Sequence, residues 1–311
     1  MKKCTLICNL ESGKGIKKED VGKIISLISK HGYDVTYHIT TKQGDAKNYV
    51  QTLDPDTDLV LSIGGDGTFN EVLTGNYKRE KKLVLSHIPV GTTNDIGSMF
   101  GMGKNILKNV ESILDGEVKQ VDIGLINKQP FMYVSGFGKF INVPYETSRK
   151  LKKSLGYFAY LVNGVKEFIQ KTKLYELEYK VDGKVYRGLY SLILISNANH
   201  IAGFNHIYKD VKLNDNKIEI VFCNITRKKD LVKSIAILLK SGITNVPGLY
   251  CHTANEIEIN FKNAPKECWT IDGEKYPEKT KKYTFSIDKT TYMLLPKKNL
   301  KELFIEEKEK E

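Results

Sequence analysis

Residues 58–76 read Asp-Leu-Val-Leu-Ser-Ile-Gly-Gly-Asp-Gly-Thr-Phe-Asn-Glu-Val-Leu-Thr-Gly-Asn and combine two secondary-structure signals around a cluster of glycines. Residues 59–63 form a short, nearly continuous apolar run, which predicts a buried strand of a parallel sheet. Phe69, Val72 and Leu73 follow at the i, i+3, i+4 spacing of one helix face. The stretch therefore predicts a strand, a glycine-rich turn and a helix.

The predicted turn, Gly64-Gly65-Asp66-Gly67-Thr68, has the composition of a phosphate-binding loop. Its three glycines permit backbone angles closed to other residues and let a large group approach the main chain. N–H groups at the start of the following helix would favour an anion such as phosphate. A tight turn without a ligand explains the glycines equally well. Asp66 favours a site, because a carboxylate beside phosphates requires a cation between them or acts as a base for an incoming hydroxyl.

The composition of the 311-residue chain is that of an ordinary globular protein with one large or two medium domains. The net charge of +11 fits nucleic acid, a polyanionic substrate or an anionic membrane surface as partner. Lysine-rich usage across a genome explains it as well. The positive charge is spread along the chain without a nucleic-acid-binding motif, so we expect no nucleic-acid partner.

The sequence indicates neither a membrane span nor export. No apolar run approaches the ~20 residues that cross a bilayer, and Asn9, Glu11 and Lys14 follow the start too soon for a secretory signal. The five cysteines, at positions 4, 8, 223, 251 and 268, have neither metal-ligand spacing nor an even disulfide framework. We therefore expect a cytoplasmic protein.

Strand and helix signals alternate in the first part of the chain, residues 1–123. This alternation predicts a doubly wound α/β domain that binds nucleotide at the carboxyl ends of its parallel strands. The predicted strands are Lys3–Asn9, Tyr33–Thr40, Asp58–Ile63, Leu83–Val90 and Val118–Ile126, and the helices are Ile16–His31, Gly44–Leu53, one starting at Thr68, Ile96–Phe100 and Asn105–Leu114.

Successive strand signals in residues 124–294 predict a mostly antiparallel second domain, a β-sandwich. The predicted strands are Pro130–Ile141, Leu174–Val181, Val185–Ser196, Ile218–Asn224, Tyr250–Phe261, Cys268–Ile271 and Tyr283–Ile287. Two helical insertions interrupt them, at Tyr145–Lys171 and Arg227–Ser241. A charged helix at Lys298–Lys310, within residues 295–311, is expected to fold back onto the first domain.

Two further loops follow predicted parallel strands. Asn9–Gly15 lacks both the Walker A and the Rossmann glycine patterns, so alone it is best explained as a surface turn. In Gly91-Thr92-Thr93-Asn94-Asp95, helix capping explains the last two residues in isolation. Because neighbouring strand ends line one crevice, however, this loop and Gly64–Thr68 together predict a binding site.

A third signal, Trp269-Thr270-Ile271-Asp272-Gly273-Glu274-Lys275, lies about 200 residues further along the chain. Asp-Gly is a common hairpin turn, and a hairpin without a functional role explains it as well as a site does. A functional role requires this segment to return to the crevice, which spacing along the chain does not decide.

Three of these motifs together resemble the diacylglycerol kinase catalytic-domain family, which includes soluble bacterial lipid kinases and sphingosine kinases. They are Gly64-Gly65-Asp66-Gly67-Thr68, Pro89-Val90-Gly91-Thr92-Thr93-Asn94-Asp95 and Asp272-Gly273-Glu274. Asn9 with Ser12-Gly13 is similar to the family's Asn-Pro-x-Ser-Gly loop, with Leu10 in place of the proline. Thr41 precedes Gly44-Asp45-Ala46 as in the family's second nucleotide-contacting segment. The resemblance covers nearly the whole chain and implies a fold similar to NAD kinase in the first domain.

Two segments depart from the family pattern. Lys212-Leu213-Asn214-Asp215-Asn216 resembles a Leu-x-Asp-Gly turn that helps to hold a structural magnesium ion, with Asn216 in place of glycine. Because asparagine tolerates the left-handed conformation, we expect the turn to survive. The glycine-rich run near the expected lipid site is reduced to Ala202-Gly203-Phe204.

The resemblance implies transfer of the ATP γ-phosphoryl group to the hydroxyl of diacylglycerol or a related lipid, giving phosphatidic acid or its equivalent, with ATP and Mg²⁺ as cofactors. It assigns catalysis to Asp66, Asp122 and Glu274, with the base left open between Asp66 and Glu274. A surface carboxylate at a strand end explains Asp122 equally well. Asp66 would organise the catalytic Mg²⁺, directly or through water, and the backbone of the turn at Lys212 and Asp215 would hold the structural one. The implied nucleotide-binding residues are Asn9, Ser12, Thr41, Gly64, Gly65, Asp66, Gly67, Thr68, Gly91, Thr92, Asn94 and Asp272.

A lipid acceptor requires contact with an anionic membrane surface. The apolar and basic residues of Tyr145–Lys171 suit a peripheral association with the inner face of the membrane, although an ordinary helix covering a sheet explains them too. Edge strands of the second domain could pair in a homodimer. The alternatives are a sphingoid-base kinase, an NAD kinase-like enzyme with a soluble substrate, and a regulator without catalysis. The intact carboxylates argue against the regulator.

Overall fold

The computed structural model describes residues 1–13, 15–138, 172–198, 200–201, 204–205, 211–227, 229–230, 233–234, 237 and 246–306. The predicted insertion at Tyr145–Lys171, much of the one at Arg227–Ser241, and Ala202-Gly203 lie outside these residues. The described residues divide into two compact units. The first comprises those of Met1–Asp122, Lys212–Asp215 and Lys289–Glu311, and the second those of Ile123–Val211 and Asn216–Asp288.

The first unit contains a parallel sheet in the order β2-β1-β3-β4, as the alternation of strand and helix signals predicts. The strands are β1 (Lys2–Cys8), β2 (Tyr33–Ile39), β3 (Leu59–Gly64) and β4 (Val84–Pro89), and the helices are α1 (Lys18–Lys30), α2 (Asp45–Thr52), α3 (Asp66–Tyr77), α4 (Asp95–Met99) and α5 (Ile106–Leu114). Apolar residues of α1 and α5 form a core with one sheet face, in which Leu6, Leu61 and Ile88 are fully buried. The doubly wound α/β fold of this part is confirmed.

Two strands run from one unit into the other, β5 (Glu117–Ile126) and β18 (Lys282–Leu295). The second half of β18 pairs in parallel with β4, Tyr292 lying opposite Val84 and Met293 opposite Leu85. Predicting a strand only at Tyr283–Ile287 misses this half, because its exposed Thr290 and half-buried Asp288 break the apolar pattern. The first unit thereby gains a strand from the end of the chain.

The second unit is mostly antiparallel, which confirms its predicted class. Its strands are β6 (Gln129–Phe131), β7 (Val134–Gly138), β8 (Tyr175–Val181), β9 (Lys184–Tyr190), β10 (Leu192–Ser196), β11 (His200–Ile201), β12 (Phe204–Asn205), β13 (Ile218–Cys223), β14 (Leu249–Ala254), β15 (Glu256–Phe261), β16 (Trp269–Ile271) and β17 (Glu274–Tyr276). One sheet has the order β14-β13-β10-β7-β16-β17, and the other continues from β18 through β15 and β8 to β9. Their facing side chains share one core, where Trp269 lies 5.3 Å from Phe137 and 4.9 Å from Phe285 between ring centroids.

Three segments predicted as single strands each divide into two strands that belong to different sheets. In the described part of Pro130–Ile141, the chain breaks at Met132 and Tyr133, between β6, which pairs with β5, and β7. Val185–Ser196 breaks at Ser191, whose N–H and hydroxyl both donate to the Cys223 carbonyl, at 2.7 and 3.1 Å. Tyr250–Phe261 breaks at Asn255, between β14 and β15. A continuous run of strand-forming residues does not reveal a change of sheet, because both halves keep the same alternation.

The predicted C-terminal helix at Lys298–Lys310 is wrong in length. The helix α6 covers only Leu300–Leu303, and Phe304 is already extended. No helix in the described part of the chain is both long and apolar enough to cross a membrane.

Candidate functional site

The carboxyl ends of β1, β3 and β4 lie side by side in the first unit and bring three of the predicted loops together. The Asn9 N–H donates to the Ile63 carbonyl at 2.9 Å, and the Val90 N–H donates to the Gly64 carbonyl at 2.8 Å. The chain runs from β1 to β2 on one side and then crosses to β3 on the other side of β1, so the strand order reverses between β1 and β3. Such a reversal opens a crevice at the strand ends, where α/β proteins bind their ligands.

Glycines let the three loops approach one another at backbone distance. A Cβ atom on Gly91 would lie 2.7 Å from the Gly65 Cα, and one on Gly13 would lie 2.1 Å from the Val90 carbonyl oxygen. Gly13 also has φ +57°, which a residue with a side chain rarely adopts. Glycines at positions 13 and 91 are therefore required for the loops to form one continuous backbone surface.

The first turn of α3 opens onto this surface. No side chain caps the helix start at Gly65, and its N–H groups belong to a helix of three turns. The Asn9 side chain donates to the Thr68 hydroxyl at 3.2 Å, and a Cβ on Gly65 would lie 3.1 Å from the Ser12 hydroxyl oxygen. The arrangement therefore provides backbone and hydroxyl donors beside the positive end of a helix dipole, which suits a phosphate group.

Asp66 does not lie in the middle of a turn, because it is the first residue of α3. Its buried carboxylate accepts hydrogen bonds from the N–H groups of Asp95, at 3.2 Å, and Ile96, at 3.3 Å. These two N–H groups lie in the first turn of α4 and have no acceptor within that helix, so Asp66 caps the neighbouring helix. The same hydrogen bonds link the Gly64–Thr68 loop to the Gly91–Asp95 loop.

Asn94 occupies the position before α4 without capping it. It has a left-handed backbone conformation, with φ 55° and ψ 42°, and its side-chain amide donates to the Gly91 carbonyl at 3.2 Å. Its Oδ1 atom is buried and has no hydrogen-bond partner among the described residues. Such an acceptor requires a donor for full stability, and a hydroxyl or amino group of a nucleotide would supply one. Thr92, in the same loop, is half-buried.

Thr41 follows β2, the outer strand of the parallel sheet, and is held by Asp45. The Asp45 carboxylate accepts from the Thr41 N–H at 2.8 Å and from its hydroxyl at 3.1 Å, and lies 3.1 Å from the His38 ring nitrogen. The hydrogen bond from the Thr41 N–H is the main cause that lowers the pKa of Asp45. Glu71 of α3, which sequence reasoning missed, accepts from the Gly44 N–H at 2.7 Å. Nothing in the pattern of α3 distinguishes it from a surface acid.

Below α3, His87 of β4 is buried against Phe69, with its Nδ1 atom 2.8 Å from the Ser62 hydroxyl. Burial lowers the pKa of His87 to about 3, so the ring is neutral at physiological pH. We therefore assign it a packing role beneath the loops.

Asp122 is buried in the middle of β5 and not at a strand end. Its N–H donates to the Leu213 carbonyl at 2.7 Å, and the Leu213 N–H donates to the Leu303 carbonyl at 2.7 Å. These bonds explain why Lys212–Asp215, predicted within the second domain, belongs to the first unit.

The turn at Lys212–Asn216 is bound to the C-terminal segment. The Lys212 ammonium donates to the Glu302 carbonyl at 2.7 Å, and the Asn214 side chain pairs with the backbone N–H and carbonyl of Ile305 at 2.7 and 3.0 Å. Asn216 has φ +63°, which confirms that asparagine keeps the left-handed turn.

Asp272 and Glu274 lie in the second unit. Asp272 and Gly273 both have positive φ, 48° and 80°, and join β16 to β17 in the tight hairpin that Asp-Gly favours. The buried Asp272 carboxylate accepts from three consecutive N–H groups, those of Met132 at 2.7 Å, Tyr133 at 3.0 Å and Val134 at 3.2 Å. Glu274 is exposed on the edge strand β17.

The structure thus brings together Asn9, Ser12, Gly64, Gly65, Asp66, Gly67, Thr68, Gly91 and Asn94 at one edge of the first sheet. Within the described ranges, no three histidine, cysteine or acidic side chains cluster to hold a metal ion. A magnesium ion bound mainly through backbone oxygens and phosphates would not require such a cluster.

Residues 3–126 match the profile of the diacylglycerol kinase catalytic domain. A diacylglycerol kinase from Bacillus subtilis (strain 168) is 30% identical over 276 residues, covering 88% of this chain and 90% of its own. A diacylglycerol kinase from Staphylococcus carnosus (strain TM300) is 30% identical over 275 residues, covering 88% and 89%.

Solved structures agree with these matches. A crystal structure of a diacylglycerol kinase from Bacillus anthracis str. Sterne covers 94% of this chain and 97% of its own with a TM-score of 0.73; at 22% identity it shows the fold alone. Another crystal structure from that organism has the same coverage, a TM-score of 0.80 and 25% identity. The sequence identity over most of both chains, together with this shared fold, shows that the chain belongs to the diacylglycerol kinase family and is a kinase.

Proposed function

We propose that this kinase transfers the γ-phosphoryl group of ATP to the hydroxyl of diacylglycerol or a closely related lipid, giving phosphatidic acid or its equivalent. One observation carries the proposal. Backbone-to-backbone contact of the loops at Gly13, Gly65 and Gly91, beside the uncapped start of α3, provides a surface for a polyphosphate. The relatives named diacylglycerol kinase support the choice of acceptor.

The nucleotide would lie across the ends of β1, β3 and β4. N–H groups at the start of α3 would bind phosphate oxygens, and Asn9, Ser12 and Thr68 would add side-chain donors. The buried Oδ1 of Asn94 would accept from a nucleotide hydroxyl or amino group. Thr41 and Thr92 complete the proposed nucleotide set.

Catalysis would rest on positioning and on charge stabilisation, since a phosphoryl group carries heavy negative charge. Asp66 already fastens two of the loops through Asp95 and Ile96, so we assign it the organising role. Glu274 is then the proposed base that takes the proton from the lipid hydroxyl, and Asp122 supports the site electrostatically. A catalytic Mg²⁺ held by Asp66, directly or through water, would neutralise phosphate charge. The backbone of the turn at Lys212 and Asp215 would hold a second, structural Mg²⁺. Asp272 would hold the hairpin that carries Glu274, because its carboxylate accepts hydrogen bonds from the N–H groups of Met132, Tyr133 and Val134.

The acceptor resides in a bilayer, so the enzyme would act at the cytoplasmic face of the membrane as a peripheral protein. The net charge of +11 supports attraction to anionic lipid. Vesicle sedimentation tests this part separately. We expect more enzyme to bind to vesicles containing anionic lipid, and equal binding to neutral vesicles would contradict it.

The experiment that tests the function is a thin-layer assay with labelled ATP against diacylglycerol, other lipid alcohols, a sphingoid base and NAD. We expect a labelled phospholipid with diacylglycerol and loss of product in Asp66→Asn. Asp56→Asn, which changes an exposed carboxylate that pairs with Lys81, is the matched control and should retain full activity. A labelled product with NAD alone, or full lipid turnover by a folded Asp66→Asn variant, would contradict the proposal.

A further inference from the structure

His38, the next-to-last residue of β2, makes two contacts with the helix that follows it, α2. Its Nε2 atom lies 3.1 Å from Oδ1 of Asp45. Its ring stacks on that of Tyr49, with 4.0 Å between the ring centroids and 11° between the planes. Tyr49 comes one helical turn after Asp45, so both contacts lie on the same face of α2. Together they fix the position and the orientation of the imidazole.

The hydrogen bond between His38 and Asp45 has a defined direction. A carboxylate only accepts hydrogen bonds, so Nε2 carries the proton and donates it to Oδ1. The other carboxylate oxygen, Oδ2, accepts from the N–H of Thr41 at 2.8 Å and from its hydroxyl at 3.1 Å. The two oxygens of one carboxylate therefore connect His38 to Thr41.

The loop that carries Thr41 is also fixed at both of its ends. The Thr40 N–H donates to the Cys8 carbonyl at 2.9 Å, which places the start of the loop beside the end of β1. The Gly44 N–H donates to Glu71 of α3 at 2.7 Å. Thr41 lies between these two points and is exposed. Its bonds to Asp45 therefore decide how its side chain is presented to a ligand.

These bonds also determine what Thr41 offers to a ligand. Its N–H and its hydroxyl proton both point to Asp45, so the hydroxyl oxygen can still accept a hydrogen bond but its proton is already in use. Phosphate oxygens are acceptors, whereas ribose hydroxyls and the adenine amino group can donate. Thr41 therefore suits the nucleoside part of a nucleotide.

We propose that His38 is a positioning residue for the nucleotide: through Asp45, it holds Thr41 in the conformation that accepts a hydrogen bond from the nucleoside part of ATP. A side chain already held in its binding conformation loses less rotational freedom when a ligand binds, which increases affinity. The inference rests on the proposed function, because it takes ATP as the nucleotide that is bound.

Two replacements of His38 separate its hydrogen bond from its ring. His38→Phe keeps an aromatic ring on Tyr49 and removes the donor, whereas His38→Gln keeps an amide donor near Asp45 and removes the ring. Calorimetric titration with ATP and Mg²⁺, without lipid, should show about fivefold weaker binding to His38→Phe and parent-like binding to His38→Gln. Equal affinity of His38→Phe and the parent, or an equal loss in both variants, would overturn the inference.

His31→Phe is the matched control near the opposite end of β2. It removes a ring nitrogen that lies 2.9 Å from the Leu27 carbonyl and should leave ATP affinity at the parent value. A loss as large as that in His38→Phe would show that the effect does not come from the contact with Asp45, and would overturn the inference.

A double-mutant cycle tests whether His38 acts through Asp45. Asp45→Ala should weaken ATP binding at least as much as His38→Phe does, because it releases Thr41 directly. Adding His38→Phe to Asp45→Ala should then cause no further loss, since the acceptor of the histidine is already absent. Losses that add in full would show that His38 acts by another route, and would overturn the inference.

Steady-state kinetics separate this inference from the proposed function. In the lipid assay, His38→Phe should raise KM for ATP about fivefold and leave kcat within about twofold of the parent. A lower kcat with unchanged KM would overturn the positioning role. A parent that phosphorylates diacylglycerol with the same KM for ATP as His38→Phe would overturn this inference alone, whereas a parent that binds no ATP would overturn the proposed function with it.

Discussion

Asp66 and Asp272 both precede a glycine, are both buried, and both accept hydrogen bonds from consecutive backbone N–H groups, yet their surroundings differ. Asp66 begins a helix at the carboxyl ends of parallel strands and accepts two long bonds, of 3.2 and 3.3 Å, from the start of α4. Asp272 forms a hairpin turn between two antiparallel strands and accepts three bonds, the shortest of 2.7 Å.

The difference shows that the Asp-Gly dipeptide does not define a role. Around Asp66, close contacts between glycines leave backbone surface for a ligand. Around Asp272, the three N–H groups of Met132, Tyr133 and Val134 occupy both oxygens of the carboxylate. We therefore expect changes at Asp66 to affect turnover and changes at Asp272 to affect stability, with any effect on nucleotide binding following from the altered backbone.

The largest effect is expected from Asp272→Asn. The amide would place an N–H₂ group against backbone donors that now share a carboxylate, which should lower the free energy of unfolding by about 3 kcal/mol. Chemical denaturation measures it. Asp66→Asn is the matched comparison and should lose activity at a smaller cost in stability. An unchanged denaturation midpoint in Asp272→Asn would show that the two carboxylates do not differ as described.

Gly91→Ala tests the contact between the two glycine loops beside Asp66. Its Cβ would lie 2.7 Å from the Gly65 Cα, so the two loops must separate. A displacement near 1 Å at a phosphoryl-transfer site should reduce kcat/KM by about 100-fold, measured with the lipid assay. Gly22→Ala in α1, where a Cβ meets nothing within 4 Å, is the control and should be neutral or slightly stabilising. Full activity in Gly91→Ala would contradict the role of loop contact.

Asn214→Ala extends the comparison of Asp66 and Asp272 to a third turn with an acidic residue, the one that contains Asp215. Removing the side chain breaks both hydrogen bonds to Ile305 and should lower the free energy of unfolding by about 1–2 kcal/mol. The shift of the denaturation midpoint reports the loss. Gln51→Ala, which removes a local bond to the Lys47 carbonyl within α2, should cost less. Equal costs would show that the C-terminal segment adds little to the turn.

The smallest expected effect is on the pH dependence of the melting temperature, and it comes from Asp45→Asn. The pKa of Asp45 is lowered from its ordinary value of 3.8, mainly by the Thr41 N–H. A carboxyl whose pKa is lower in the folded state stabilises the fold above its unfolded value and loses that contribution as pH falls through the folded value. Melting temperature should therefore fall slightly more steeply below about pH 4 in the parent than in Asp45→Asn. Identical pH profiles would contradict a contribution from this contact.

The local parts of the site were predictable because short patterns determine them. The apolar run before Gly64 and the helical spacing after Thr68 predict β3 and α3, and neighbouring strand ends predict that Gly64–Thr68 meets Gly91–Asp95. The contact of Asp66 with Ile96 was not predictable, since it joins residues thirty positions apart through backbone donors that every residue carries. The break at Ser191 was hidden for a similar reason, because its bonds to Cys223 depend on tertiary structure.

The central claim, that ATP binds at the carboxyl ends of β1, β3 and β4, is tested most directly by amide NMR of the full chain titrated with ATP and Mg²⁺. The largest chemical-shift changes should fall on Ser12–Gly13, Gly64–Thr68 and Gly91–Asp95, and Gly91→Ala should weaken them. Unchanged amide signals at these three loops during saturable nucleotide binding would contradict the account.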